Sequence, residues 1–110
     1  MTTPILPFSL NITSGARAVT AANTNATIPG GEGEQLRVYN AGPNLVAIFA
    51  SNGAGVAVFP TDNATPNGKG AVIAVGGVEL FSLPNGADTL NAICPAAGTA
   101  TIYYSRGKGD

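Results

Sequence analysis

The chain has no histidine, no tryptophan, one cysteine, and only five basic and six acidic residues among 110. Each scarcity closes off a class of function. Without histidine the commonest general base is missing, and with it the Ser-His-Asp and Cys-His arrangements. A lone cysteine, Cys94, leaves zinc without ligands and rules out an intrachain disulfide. Its neighbours Ile93 and Pro95 mark it as a small buried hydrophobe. A formal net charge of −1, with Arg17, Arg37, Lys69, Arg106 and Lys108 scattered along the chain, supplies no field for nucleic acid, so no direct nucleic-acid partner is expected. No uninterrupted apolar run is long enough to span a bilayer, so no membrane partner is expected. The first ten residues, MTTPILPFSL, lack a basic region and carry Pro4 and Pro7, which argues against a secretory signal.

Charged residues make up 10% of the chain, against roughly 25% in ordinary soluble proteins. The surface must therefore consist largely of Asn, Thr, Ser, Gly and Ala. Few ions lose their water when such a surface meets a partner, which favours assembly.

What the chain has in abundance is punctuation. Fifteen glycines and eight prolines leave segments of strand length and no sustained helical period, an all-β pattern. Strands are expected over residues 8–12, 16–21, 35–40, 45–50, 56–59, 71–75, 78–83, 89–94 and 99–105. Leu36 and Val38 alternate with Arg37 and Tyr39, the pattern of a strand with one wet face. Residues 45–50, LVAIFA, are apolar on both faces and so are expected to be covered twice, once by the opposing sheet and once by something else, such as a partner. Asn52-Gly53, Asn67-Gly68 and Asn85-Gly86 each sit between apolar segments and read as hairpin-like reversals, because both residue types tolerate positive φ. Eight or nine short strands in one domain spanning 1–110 predict an antiparallel β-sandwich of jelly-roll or Greek-key type, with a closed barrel as the alternative. Residues 1–7 read as an extended arm, because proline removes donors and restricts the residue before it. Residues 106–110 read as a glycine-rich tail.

Candidate chemistry is sparse. Glu32 and Glu34 follow Gly30-Gly31 in an expected loop and read as a solvated turn; no lysine or helix follows to make a phosphate loop. Asn11-Ile12-Thr13, Asn25-Ala26-Thr27 and Asn63-Ala64-Thr65 match the glycosylation acceptor pattern, which an Asn- and Thr-rich chain produces by chance. Neither a catalytic residue, a metal nor a cofactor is expected, and no enzymatic role. Tyr39, Tyr103 and Tyr104 are the only tyrosines able to form a sugar-stacking platform. Tyr103 and Tyr104 are adjacent on an expected strand and must point to opposite faces.

From Gln35 onward, the order QLRVYNAGPNLVAIFA followed by AVGGVELFSLPNGADTLNAICPAAGTATIYYSRGKG resembles small virion proteins of tailed bacteriophages. The shared features are a strand ending in an Asn-Ala-Gly turn, a Gly-Gly-Val-Glu-hydrophobic segment, an Ala-rich strand and a final Gly-Thr-Ala-Thr strand. The resemblance implies a capsid decoration, or cement, protein on the outer surface of the virion, made in the host bacterial cytoplasm. Its implied partners are the major capsid protein and a second copy of itself, as a homodimer rather than a trimer. On this reading Ile5, Leu6 and Phe8 of the arm, with Tyr104 and Arg106, are the candidate capsid or subunit contacts. A carbohydrate-binding sandwich module, with Tyr39, Tyr103 or Tyr104 in an exposed groove among Asn side chains, is the alternative from a different class. A small tail or head-completion component is a third reading.

Overall fold

The computed structural model describes residues 9–30, 33–61 and 64–108, and among these there is no helix. Eight strands form: β1 (Ser9–Val19), β2 (Thr24–Thr27), β3 (Gln35–Pro43), β4 (Val46–Ser51), β5 (Ala71–Ile73), β6 (Val78–Ser82), β7 (Thr89–Ile93) and β8 (Ala100–Lys108). They build two four-stranded sheets, ordered β1-β8-β3-β6 and β2-β7-β4-β5, with every pair antiparallel. The outermost pairings join β1 to β8, β2 to β7, β3 to β6 and β4 to β5, as if one long hairpin bent between β4 and β5 had been rolled up. That winding is a jelly roll. Among the described residues four edge strands are unpaired on one side, so the strands form two open sheets rather than the closed barrel of the alternative.

The alternation seen in the sequence does the folding locally. Along β3 burial switches residue by residue, with Leu36, Val38 and Asn40 inside and Arg37, Tyr39 and Ala41 outside. Val19, Leu36, Val38 and Ile102 from the first sheet meet Val46, Ile48, Ile73 and Leu90 from the second in one core cluster. Each such side chain contributes about 1.5–3 kcal/mol by leaving water. Asn40 is the polar member of the first sheet's inner side. It is kept there by full satisfaction: its Nδ2 donates to the Asn44 and Ile73 carbonyls at 2.9 and 3.1 Å, and its Oδ1 accepts the Gly42 amide at 2.8 Å.

Five differences from the sequence expectation have physical causes. The strands expected over 8–12 and 16–21 are one strand, β1, interrupted in register between Leu10 and Ser14. β2 was missed because TNAT has a single apolar residue, Ala26, to signal it. Residues 56–59 form no strand and make only the bridge between Val58 and Lys69. β8 runs through Lys108, absorbing the start of the expected tail, because Gln35 and Leu36 of β3 lie opposite Gly107 and Arg106. The Asn-Gly pairs do not close hairpins. Asn52-Gly53 and Asn67-Gly68 both lie in the long β4–β5 connection, and Asn85-Gly86 carries the chain from one sheet to the other. At that crossing, and at Ala74 to Gly77 between β5 and β6, a glycine at φ +79° occupies the third turn position, as a type II turn requires.

A second cover exists over part of residues 45–50 and the chain itself provides it, whereas Leu45 is 40% exposed. Ala47 and Ala57 are fully buried yet stand outside the core cluster. The β4–β5 connection lies across the outer face of the second sheet, fastened by three asparagines. Asn23 and Asn25 donate to the Gly55 carbonyl at 3.0 and 2.9 Å, and Asn23 Oδ1 accepts the Ala57 amide at 2.7 Å. Asn91 Oδ1 accepts from Asn25 Nδ2 at 2.6 Å and from the Gly55 amide at 2.9 Å, while its Nδ2 donates to the Phe49 carbonyl and to Ser51 Oγ. Gly55 approaches so closely that a Cβ there would stand 2.8 Å from Phe49 Cζ. Lys69 Nζ sits 5.0 Å from the Phe49 ring centroid and fastens the far end of the same connection.

Candidate functional site

One sheet face is strapped over and the other is bare. On the outer side of β1-β8-β3-β6, Tyr39, Val78, Leu80 and Tyr103 are 40–50% exposed. Register makes them a patch. Ala16 lies opposite Tyr103, Tyr103 opposite Tyr39, and Tyr39 opposite Val78, so one row crosses all four strands. In the next row Arg37 lies between Leu80 and Ser105.

The two tyrosine rings are stacked, 6.4 Å apart at their centroids with planes inclined by 24°. With Arg37, Val78 and Ser105 they line a shallow depression of about 380 Å³. Among the described residues Arg37 has neither an ion-pair nor a hydrogen-bond partner. The nearest acid in β6, Glu79, alternates away from this face, opposite the buried Val38.

The tyrosine pair at residues 103 and 104 divides as strand geometry demands. Tyr103 is exposed, whereas Tyr104 is 5% exposed and packs in the core. Its ring covers Gly15, where a Cβ would come within 2.6 Å of Tyr104 Cε2. Tyr104 is thus placed as packing, and Tyr103 is the solvent-facing member of the pair.

Arg106 lies at one end of the sandwich, half-buried, with its Nε donating to the Gly33 carbonyl at 2.8 Å and an Nη to the Pro29 carbonyl at 3.4 Å. A second depression, of about 320 Å³, opens there between residues 33–34 and 83–87. β1 begins at the same end, because Ser9 lies opposite Lys108 and Leu10 opposite Gly107. Ile5, Leu6 and Phe8 lie outside the described residues, as do Glu32 and Asp62.

Cys94 is buried, its Sγ 3.7 Å from the Val19 carbonyl, and burial pushes its thiol pKa up. Such a thiol is a poor nucleophile and a poor metal ligand. Among the described residues, no three of His, Cys, Asp and Glu come together as a metal site would require. Asp88 is exposed and its carboxyl is held below the ordinary range, first by the Gly53 amide and then by the Thr89 hydroxyl, at 2.8 and 2.9 Å. Those bonds anchor the start of the β4–β5 connection. Asn25, one of the glycosylation-pattern asparagines, spends its amide on Gly55 and Asn91.

Sequence reasoning identified Tyr39 and Tyr103 singly and missed that they are cross-strand neighbours beside Arg37. It also missed Asn23, Asn25 and Asn91, for which the available signal was asparagine at strand positions, where its propensity is poor. Comparison with protein-family models, with curated proteins and with solved structures finds no match for this chain.

Proposed function

We propose that this chain is a structural virion protein that binds the outer surface of a tailed-phage capsid and cements neighbouring capsid subunits, working as a homodimer on the shell. The observation that supports this reading best is the pairing of β1 with β8 up to Ser9 and Lys108. It sets Ser9, where the described part of the chain begins, at the same end of the sandwich as Arg106. A segment joined directly to a sheet strand can transmit load to that sheet, and the strap over the second sheet stiffens the body. The resemblance to small phage virion proteins and the sparse charge of the chain point the same way.

The mechanism is linkage. A protein that binds only the assembled shell lowers the free energy of that state, and the contributions of many modest contacts add over many copies. Each homodimer offers two arms, so it bridges two capsid subunits.

The test is gradient sedimentation of the protein with capsids from its source. The full chain is expected to comigrate with particles in many copies, and stripped particles to lose resistance to heat and osmotic shock. A variant lacking residues 1–8 is expected to keep its thermal unfolding transition and to stay at the top of the gradient. Failure of the full chain to comigrate with any capsid refutes the reading.

A further inference from the structure

The bare face of the first sheet can be occupied by a second copy, by nucleic acid or by a small ligand, and its chemistry separates them. Two copies stacked face to face would bring Arg37 toward its own mate with no acid among the described residues of the face to neutralise it, since Glu79 points away. A nucleic-acid strand needs a cation for each of several phosphates, and this face carries one, on a chain of net charge −1. What remains is a ligand with an apolar face, several hydroxyls and a single negative charge per repeat.

We propose that Arg37, Tyr39, Tyr103 and Ser105 form a binding site for an acidic saccharide, a pyranose ring bearing a carboxylate. An aromatic ring is electron-rich on its face, and the axial C–H groups of a pyranose carry slight positive charge, so the sugar lies flat on the ring. Tyr39 and Tyr103, stacked 6.4 Å apart and 40–50% exposed, offer ring surface for one such sugar unit. Arg37 lies beside them in the same depression. Its planar fork matches a carboxylate in two parallel hydrogen bonds and, having no partner among the described residues, gives up no described ion pair to do so. Ser105 and the two phenol hydroxyls supply the remaining polar contacts along the rim. This site is on a sheet face and the capsid attachment proposed above is at the chain ends, so the two stand or fall separately.

The experiment is titration of the intact protein with trigalacturonate and 3′-sialyllactose, against the neutral galactotriose and lactose, following aromatic proton resonances. The acidic sugars are expected to shift the Tyr39 and Tyr103 rings saturably, at least tenfold tighter than their neutral counterparts, with the preference shrinking in high salt. Arg37→Gln is expected to bring acidic and neutral sugars level. Tyr103→Ala is expected to abolish both, while Tyr103→Phe keeps the ring and most of the affinity. Both side chains are on the outer face, so unchanged melting temperatures identify any variant that has lost binding without losing the fold. Absence of a saturable shift with both acidic sugars overturns the proposal, as does binding unchanged in Arg37→Gln and Tyr103→Ala. Self-association that these variants abolish, without any sugar effect, assigns the face to a second copy and equally overturns it.

Discussion

Replacing Asn91 by alanine tests whether the strap on the second sheet is part of the folded structure's stability or merely lies on it. The side chain is fully buried and takes part in four hydrogen bonds, two accepted and two donated. Alanine removes all four and leaves the Gly55 amide and the Phe49 carbonyl without these partners under the connection. At about 0.5–1.5 kcal/mol net for each bond, reduced where water reaches the groups left behind, the loss is about 2–4 kcal/mol. For a domain of this size that lowers the melting temperature by on the order of 10 °C. The assay pairs thermal denaturation with amide hydrogen exchange, in which the amides of Gly55 and Ala57 are expected to lose protection before those of β3 and β8. Asn25→Ala removes two of the strap's bonds at a more exposed position and is expected to cost about 1 kcal/mol. The double variant is expected to cost less than the sum, because the two asparagines share a bond. A fall of less than about 3 °C for Asn91→Ala, or exchange that rises equally everywhere, refutes the strap as a distinct stabilising unit.

The remaining predictions concern single positions. Gly15→Ala puts a Cβ 2.6 Å from the Tyr104 ring and is expected to cost about 1–3 kcal/mol in a urea melt, as overpacking does; an unchanged midpoint would show that Tyr104 moves freely. Ala97 holds φ +60°, a conformation that costs an L-residue about 1–2 kcal/mol, so Ala97→Gly is expected to raise stability by up to about 1 kcal/mol after glycine's greater freedom in the unfolded chain is subtracted; a loss of stability would refute the strain. Native Cys94 is expected to react with thiol reagents far more slowly than the urea-unfolded chain. Because burial raises its pKa above that of the thiol in the unfolded chain, its neutral form favours folding below the unfolded value, and this contribution disappears as pH rises through the folded pKa; equal reaction rates would overturn the assignment. Asp88, with its carboxyl held low by Gly53 and Thr89, contributes stability above its unfolded pKa that is lost as pH falls through the lower folded one; the Gly53 amide resonance is expected to track that titration, and its indifference to acid would refute the bond.

The fold class and much of the inside-outside assignment were legible because both are written in local patterns. A period of two places Leu36 and Val38 inward and Arg37 and Tyr39 outward whatever the rest of the chain does, and glycine at Gly76 and Gly86 announces a turn through backbone geometry alone. β2 was illegible because a four-residue strand with one alanine derives its stability from its neighbour β7, not from its own composition. Asn52-Gly53 bends the chain and Asn85-Gly86 turns it, whereas Asn67-Gly68 does neither and none of the three closes a hairpin, since a turn residue reports the local bend and not the sheet in which the next strand lands.

By itself the sequence determined that this is an all-β chain of short, sparsely charged strands with no histidine for acid-base work. Only the tertiary structure decided that Tyr39 meets Tyr103 on a bare face, that Tyr104 lies over Gly15, and that Asn25 reaches Asn91 across 66 residues of chain. The reason is that register and pairing in an antiparallel sheet are set by long-range burial summed over whole strands, a quantity to which no short window of sequence has access.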